Sequence, residues 1–128
     1  MMAERHKVSE NKRQTGSRYE ELAARGLKEN GWTVLETGYR TRSGEIDLIA
    51  LDPENTLVFC EVKYRSAGDV PAALEAVDYR KQRQIIRMAR LYLMKHPESM
   101  DYPMRFDVIG IGASGETAHI ENAFDAGM

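Results

Sequence analysis

Two acidic residues and a lysine stand where strand geometry could turn them into a metal centre. Asp47 lies between Ile46 and Leu48, and Glu61 follows the apolar run Leu57-Val58-Phe59-Cys60 and precedes Val62. A carboxylate set among apolar residues needs a partner, because burial penalises an uncompensated charge. Glu45 and Asp47 are two apart, as are Glu61 and Lys63, so within a strand each pair faces one way. If the turn between them is centred on Glu54, Leu51 faces Leu57, Asp47 faces Glu61 and Glu45 faces Lys63. Directly opposed side chains bring their Cβ atoms to about 4.5–5.5 Å, and a one-residue slip would put the two acids on opposite faces. Two carboxylates that close repel unless a cation lies between them. Hard oxygen ligands suit Mg²⁺ or Mn²⁺. A divalent ion beside an ammonium group is the equipment of phosphodiester hydrolysis: the ion polarises the phosphate and acidifies a water, and the lysine orients that water or carries developing charge. Simpler roles fit some of the same residues. Glu45 opposite Lys63 reads equally as a cross-strand ion pair. Glu20 has the spacing to cap a helix with Ser17, and reaches the cluster only if that helix packs over the sheet.

The elements that must position these groups follow from periodicity. Residues 1–16 are polar and lack apolar rhythm, and read as a flexible tail, leaving 17–128 as a single domain. A helix is expected from Ser17, with Tyr19, Leu22, Ala23, Gly26 and Leu27 on one apolar face and Asn30-Gly31 as its stop. Strands are expected over Trp32–Tyr39, Glu45–Leu51 and Thr56–Arg65, with turns at Arg42-Ser43-Gly44 and Asp52-Pro53-Glu54-Asn55. The continuous apolar run of the third strand suits one covered on both faces. After a loop at Ser66–Pro71, a long helix is expected from about Ala72 or a little later to about Lys95, ended by His96-Pro97. Met104–Ile111 reads as a fourth strand, residues 112–118 as a loop, and Ile120–Phe124 as a short final element. Short turns make the first three strands antiparallel neighbours, and the long helix lets the fourth run parallel to the third.

Bulk properties bound the function classes. The chain has 128 residues, 42% hydrophobic and 30% charged, which suits one globular domain with a modest core. No run approaches the roughly 18 apolar residues of a membrane span, and no secretory leader opens the chain. Cys60 is the single cysteine, which fits a reducing, cytoplasmic compartment. The net charge of −2 does not by itself suggest a nucleic-acid binder. Its distribution is uneven: residues 79–97 hold six basic groups and no acid. On the long helix Arg80, Arg83, Arg87 and Arg90 fall opposite the apolar side formed by Gln82, Ile85, Ile86, Ala89, Tyr92 and Leu93. Such a stripe can grip a phosphate backbone or simply be solvated. Lys81 lies at its border, where it could point toward the acids. Asp107 reads as a structural hydrogen-bonding group, and His6, His96 and His119 have no ligand spacing.

Asp47 followed after a hairpin by Glu61-Val62-Lys63 resembles the PD-(D/E)xK nuclease motif. More closely, the chain resembles the YraN-like family of uncharacterised bacterial proteins, related to archaeal Holliday junction resolvases. The resemblance rests on Gly16, Tyr19-Glu20 and Ala23, Gly31-Trp32, Arg40-Thr41-Arg42, and Gly44-Glu45-Ile46-Asp47-Leu48-Ile49-Ala50. It continues through Phe59-Cys60-Glu61-Val62-Lys63-Tyr64-Arg65, Ala76-Val77, Lys81-Gln82-Arg83 and Arg105-Phe106-Asp107-Val108. It implies an α/β restriction-endonuclease-like core (αβββαβ), metal ligation by Asp47 and Glu61, Lys63 as the catalytic lysine, and Glu20 as a helical acid acting on the metal through water. Ile46 stands where the motif's name has proline. The expected cofactor is Mg²⁺ or Mn²⁺. The expected partner is DNA, branched or otherwise non-B-form, contacted by Lys81, Arg80, Arg83, Arg87 and Arg42. By analogy with resolvases, which cut two strands, the expectation extends to a homodimer, and a DNA substrate would associate the protein with the nucleoid. The competing reading is a binding or protein-interaction module that keeps the fold and the acids without cutting.

Overall fold

The structure, a computed structural model, describes residues 18–65 and 77–126. The tail 1–16, the Ser17 cap, the loop at Ser66–Pro71 and the helix start near Ala72 lie outside the described residues. The first helix, α1, covers 18–29 within them. It is followed by β1 (Thr33–Thr41), β2 (Gly44–Leu51), β3 (Leu57–Arg65), α2 (Tyr79–Lys95), a short 3-10 turn (Pro97–Asp101), β4 (Met104–Gly112) and β5 (Thr117–Phe124). The sheet order is β1-β2-β3-β4-β5. β1, β2 and β3 form an antiparallel meander, β4 joins β3 in parallel, and β5 returns antiparallel to β4. This is the αβββαβ order with an added edge strand. The expected short element near the C-terminus is an eight-residue strand that starts within the expected loop. Its outer position leaves its residues half-exposed, so it lacks the apolar density of β3 or β4.

A helix covers each face of the sheet. Ala23, Ala24 and Leu27 of α1 pack on Leu48, Ala50, Val58, Cys60, Ile109 and Ile111. Ile85, Ile86, Met88, Ala89, Tyr92 and Leu93 of α2 pack on the other side with Ile46, Ile49, Phe59, Phe106 and Val108. The buried stripe of α1 is turned from the expected one: Ala24 is buried and Leu22 is 38% exposed. Glu20, Ala23, Ala24 and Leu27 stand at i, i+3, i+4 and i+7, so the turn carries Glu20 onto the sheet side. The helix closes as Asn30-Gly31 suggests. The N–H of Trp32 donates to Leu27 O and that of Gly31 to Lys28 O, with Gly31 at φ +86°, a backbone that glycine adopts without strain. Within the described residues α2 begins at Tyr79, where the Asp78 carboxylate accepts from Lys81 N at 2.9 Å and caps the first turn. His96 ends it ahead of Pro97.

Asp52, Arg105, Asp107 and His119 knit the end of the sheet away from Lys63. Arg105 donates to Asp52 Oδ2 at 2.8 Å and to Asp107 Oδ1 at 3.0 Å, and stacks over Trp32 at 5.6 Å. Asp107, fully buried, also accepts from Asn122 N at 2.9 Å and lies 2.7 Å from His119 Nε2. Burial opposes its ionised form, but His119, Arg105 and the Asn122 N–H outweigh it and hold the carboxyl below its usual range. The structural role read for Asp107 is therefore what its partners make of it. Asp52 accepts from the N–H groups of Glu54 and Thr56 and so shapes the β2–β3 turn. Among the described residues no helix is long and apolar enough to cross a membrane.

Candidate metal centre

β2 and β3 pair in the register expected from a turn centred on Glu54, with Leu51 opposite Leu57 and Leu48 opposite Cys60. Pairing stops there. One step further Asp47 and Glu61 face each other across strands that have parted, and Asp47 Oδ2 accepts the Val62 N–H at 2.7 Å in place of a ladder bond. The alternation of β2 also breaks: Ile46 packs on the α2 side while Leu48, two residues on, packs on the α1 side. The fork between the strands is where the acids gather.

Glu61 is 3% exposed, and its Oε1 is buried without a hydrogen-bond partner. Its Oε2 lies 3.2 Å from Lys63 Nζ and 3.7 Å from Lys81 Nζ. Lys81, at the border of the basic stripe, does point at the acids. Asp47 is partly buried beside it. Burial first, then the charge of Glu61 and a side-chain hydrogen bond with it, push the Asp47 carboxyl up to about 9 against the pull of the Val62 N–H. Glu20 enters from α1: its carboxyl oxygen, with those of Glu45 and Asp47, lies within 4.8 Å of the others. Burial, then the Glu45 charge, raise the Glu20 pKa. The orphan Oε1, the mutual repulsion and the all-oxygen donor set fit a hard divalent cation held by Asp47 and Glu61, with Glu20 close enough to act directly or through water.

Glu45 differs from the expected cross-strand pair. β1, not β3, is its neighbour at this point: Arg40 is its register partner and Arg40 Nε lies 3.0 Å from Glu45 Oε1. Lys63 is engaged with Glu61 instead. The reason is the fork, which carries β3 away before Glu45 can oppose Lys63.

Three positioning features escaped the sequence reading. Gly38 falls between the Thr37–Leu48 and Tyr39–Ile46 pairs, hence opposite Asp47, with φ +62°. A Cβ there would come 3.3 Å from Glu20 Oε1 and 3.8 Å from Glu45 Oε1, so the absent side chain is the room in which the carboxylates converge. Glycine within a strand pattern is the available signal of such a close approach. Arg40 supplies the positive charge beside Glu45. Tyr19 and Tyr64 stack with centroids 4.5 Å apart, which clamps the turn of α1 bearing Glu20 to the strand bearing Lys63.

The basic stripe is largely on the surface: Arg80, Arg87 and Arg90 are exposed. Arg83 is half-buried and donates to Ala126 O at 3.4 Å, which draws it toward the C-terminal strand. Gln84, between Arg80 and Arg87 on the helix face, donates to Ser43 O at 3.3 Å and docks the β1–β2 turn, with exposed Arg42, against that stripe. Cys60 is fully buried, and burial pushes its thiol well up, so it acts as core filling.

The model of an uncharacterised protein family, UPF0102, matches residues 19–111, a span that includes every acid of the fork and most of both helices. A UPF0102 protein of Alcanivorax borkumensis is 43% identical over 117 residues, covering 88% of this chain and 93% of its own length. One of Alkaliphilus oremlandii is 44% identical over 109 residues, covering 82% and 92%. One of Aliivibrio fischeri is 38% identical over 120 residues, covering 92% and 97%. The likeness therefore runs through nearly all of each protein, and the chain belongs to the uncharacterised protein family UPF0102.

Proposed function

We propose that the protein is a Mg²⁺- or Mn²⁺-dependent DNA endonuclease that hydrolyses phosphodiester bonds at the Asp47–Glu61–Lys63 centre. The observation that carries this reading is the buried, unpartnered Oε1 of Glu61 beside Asp47, with an ammonium group on the other oxygen of the same carboxylate. Asp47 and Glu61 would hold the cation, and Glu20 would steady it. When bound, the ion supplies a polarised phosphate and an acidified water. Lys63 now balances Glu61. With that charge shared by a cation, its Nζ is available to hold the attacking water or to meet negative charge growing on the phosphate. Lys81 Nζ, 3.7 Å from the same carboxylate, takes the neighbouring phosphate oxygen. Arg42, Arg80 and Arg87, all exposed, would hold the DNA backbone, with Arg83 contributing from its flank. Branched or otherwise non-B-form DNA is the substrate that the resemblance to junction resolvases supports. The same analogy extends to a homodimer cutting two strands, and a DNA substrate would associate the protein with the nucleoid.

The net charge of −2 favours a second reading, a DNA-associated or protein-interaction module that keeps this fold without cutting. Cleavage of four-way junction, flap and linear DNA with Mg²⁺ or Mn²⁺, by wild type, Asp47→Asn and Lys63→Ala, separates the two. The nuclease reading expects metal-dependent cleavage by wild type only. Equal cleavage by Asp47→Asn, or no cleavage of any substrate together with no calorimetric metal binding, refutes it.

A further inference from the structure

Arg90 is the arginine of the α2 stripe that the DNA-binding surface proposed above does not use. It stands nine residues beyond Lys81, roughly 13 Å further along the helix. It is exposed, and among the described residues no carboxylate pairs with it. Arg83, Ile86, Arg90 and Leu93 stand at i, i+3, i+7 and i+10, one line along the flank of α2 beside β4 and β5. Between that flank and the strands lies an open cavity of about 210 Å³, lined by the apolar groups of Ile86, Ala89, Leu93, Phe106 and Phe124. Arg105 also borders it, but is engaged with Asp52 and Asp107. The apolar surface continues outward. Met104, which borders the cavity, is 43% exposed, and Met94, one turn on from Arg90, is 77% exposed. Exposed apolar surface next to a cavity marks a place of contact, and methionines re-pack around what enters.

We propose that this groove docks an acidic, amphipathic peptide of a partner protein: one large apolar side chain enters the cavity, and flanking Asp or Glu residues lie along Arg83 and Arg90. The size of the cavity suits a side chain. An apolar cavity of about 150 Å³ already accepts a benzene ring, whereas sites for cofactors and drug-sized ligands begin near ~300 Å³. The lining argues against a nucleobase, whose polar edge would face Ile86, Ala89, Leu93 and Phe124 without a hydrogen-bond partner. Charge sets the sign of the partner. Arg83 is held at the groove by donating to Ala126 O at 3.4 Å, Arg90 stands free, and Asp125 is exposed on the strand side. Opposite charges on the two rims give the groove a direction, with the partner's acids on the helix side and away from Asp125. The chain as a whole carries −2, so an acidic partner is drawn to the α2 flank and discouraged elsewhere. This docking site stands apart from the metal centre and does not depend on the nuclease reading.

Fluorescence anisotropy with a set of labelled peptides tests this on the full-length protein, without metal or DNA. Each peptide carries one phenylalanine at a different spacing from a run of aspartates, and matched controls replace the phenylalanine with alanine or the aspartates with lysines. The expected result is saturable, salt-sensitive binding of at least one aspartate–phenylalanine peptide. Its alanine control should bind roughly tenfold to a hundredfold more weakly, the worth of one buried aromatic side chain, and its lysine control should not bind. Arg90→Glu should weaken binding about tenfold, through a lost ion pair and a new repulsion. Met104→Trp, which crowds the cavity, should weaken it as well. Both positions are exposed, and thermal melting by circular dichroism checks that the variants fold. In spectra of protein labelled at the methionine methyls, bound peptide should shift Met94 and Met104 and leave the buried Met88 unmoved. No peptide of the set binding below about 1 mM, or equal binding of the alanine control or by Arg90→Glu, overturns the inference. So does a dimer in sedimentation that Met104→Trp dissociates, which would assign the groove to a second copy. Shifts at Met94 and Met104 produced by duplex DNA and by no peptide would assign it to nucleic acid and overturn it equally. None of these outcomes touches the metal centre.

Discussion

Asp47→Asn should make the metal-free protein more stable while abolishing the proposed metal site. In the folded chain burial, then the charges of Glu61 and Glu20, push the Asp47 carboxyl up to about 9 from an ordinary 3.8. In the unfolded chain it ionises normally. A carboxyl whose folded pKa is raised stabilises the fold most at low pH, and that contribution is lost as pH climbs between the unfolded and folded values. Across that window the loss is about 1.4 kcal/mol per pH unit, so from pH 5 to pH 8 the ceiling is about 4 kcal/mol. Because the strands are already parted at this point, relaxation of the fork should bring the realised gain to roughly 1–2 kcal/mol at pH 8, and to near zero at pH 4. The amide oxygen of the variant can still accept the Val62 N–H, so no backbone group is stranded. Urea unfolding with a chelator present, at pH 4 and pH 8, measures both differences. Adding Mn²⁺ should reverse the order at pH 8, since an ion at 100 times its Kd stabilises the wild type by about 2.7 kcal/mol and the variant not at all. If the metal-free wild type is the more stable at pH 8, or the gap between the two proteins does not change with pH, the account of the fork is wrong.

Further expectations follow from the surroundings. Gly38→Ala should cost about 1–2 kcal/mol in thermal or urea unfolding, because an L-residue is strained at φ +62°, and should weaken Mn²⁺ binding by crowding Glu20. Asp107→Asn should cost about 3–5 kcal/mol at pH 7, since Arg105 and His119 lose a buried partner. Burial disfavours the ionised Asp52 and Asp107, but their hydrogen bonds and Arg105 hold both below the usual range. The wild type should therefore keep their contribution above about pH 4 and lose it as the pH falls through their folded pKa values, visible as an acid-unfolding limb that Asp107→Asn flattens. Arg87→Glu should lower DNA affinity and reduce the slope of log affinity against log salt by about 1 or more, while leaving the melting temperature within about a degree or two.

What could be read from sequence was what depends on short range. The β2–β3 register followed from where the turn is centred, and the basic face of α2 from angle alone, so Lys81 could be aimed correctly from its place at the border. The family resemblance pointed to Asp47, Glu61 and Lys63, which the strands bring together. What could not be read was set by departures from regularity. Strand parity assumes an unbroken pleat, and the change of side between Ile46 and Leu48 ends it where the acids meet. That break made Arg40, rather than Lys63, the partner of Glu45. Gly38 is silent in a hydropathy pattern because its contribution is an absence. The stripe of α1 was misplaced by one position, since Leu22 is the more apolar choice but Ala24 allows the closer approach to the sheet. The contacts of Arg105 join residues as far apart in sequence as Asp52 and Trp32, which no local pattern records.

The Arg105 junction has a consequence for time rather than for equilibrium. Its guanidinium touches the β2–β3 turn through Asp52, its own strand through Asp107 and the entry to β1 through Trp32, while Asp107 reaches β5 through His119 and Asn122. The contacts with Asp52 and Trp32 cannot form until β4 has docked in parallel beside β3, a pairing that closes a loop across the whole of α2 and so forms late. Interactions absent at the barrier to folding are felt on the way out. Arg105→Met should thus leave the folding limb of a chevron nearly unchanged and steepen the rate of escape, by roughly tenfold for each 1.4 kcal/mol removed. The far end of the sheet acts as a latch: it adds little to how fast the chain finds its shape, and sets how long the parted strands at the other end are held in place.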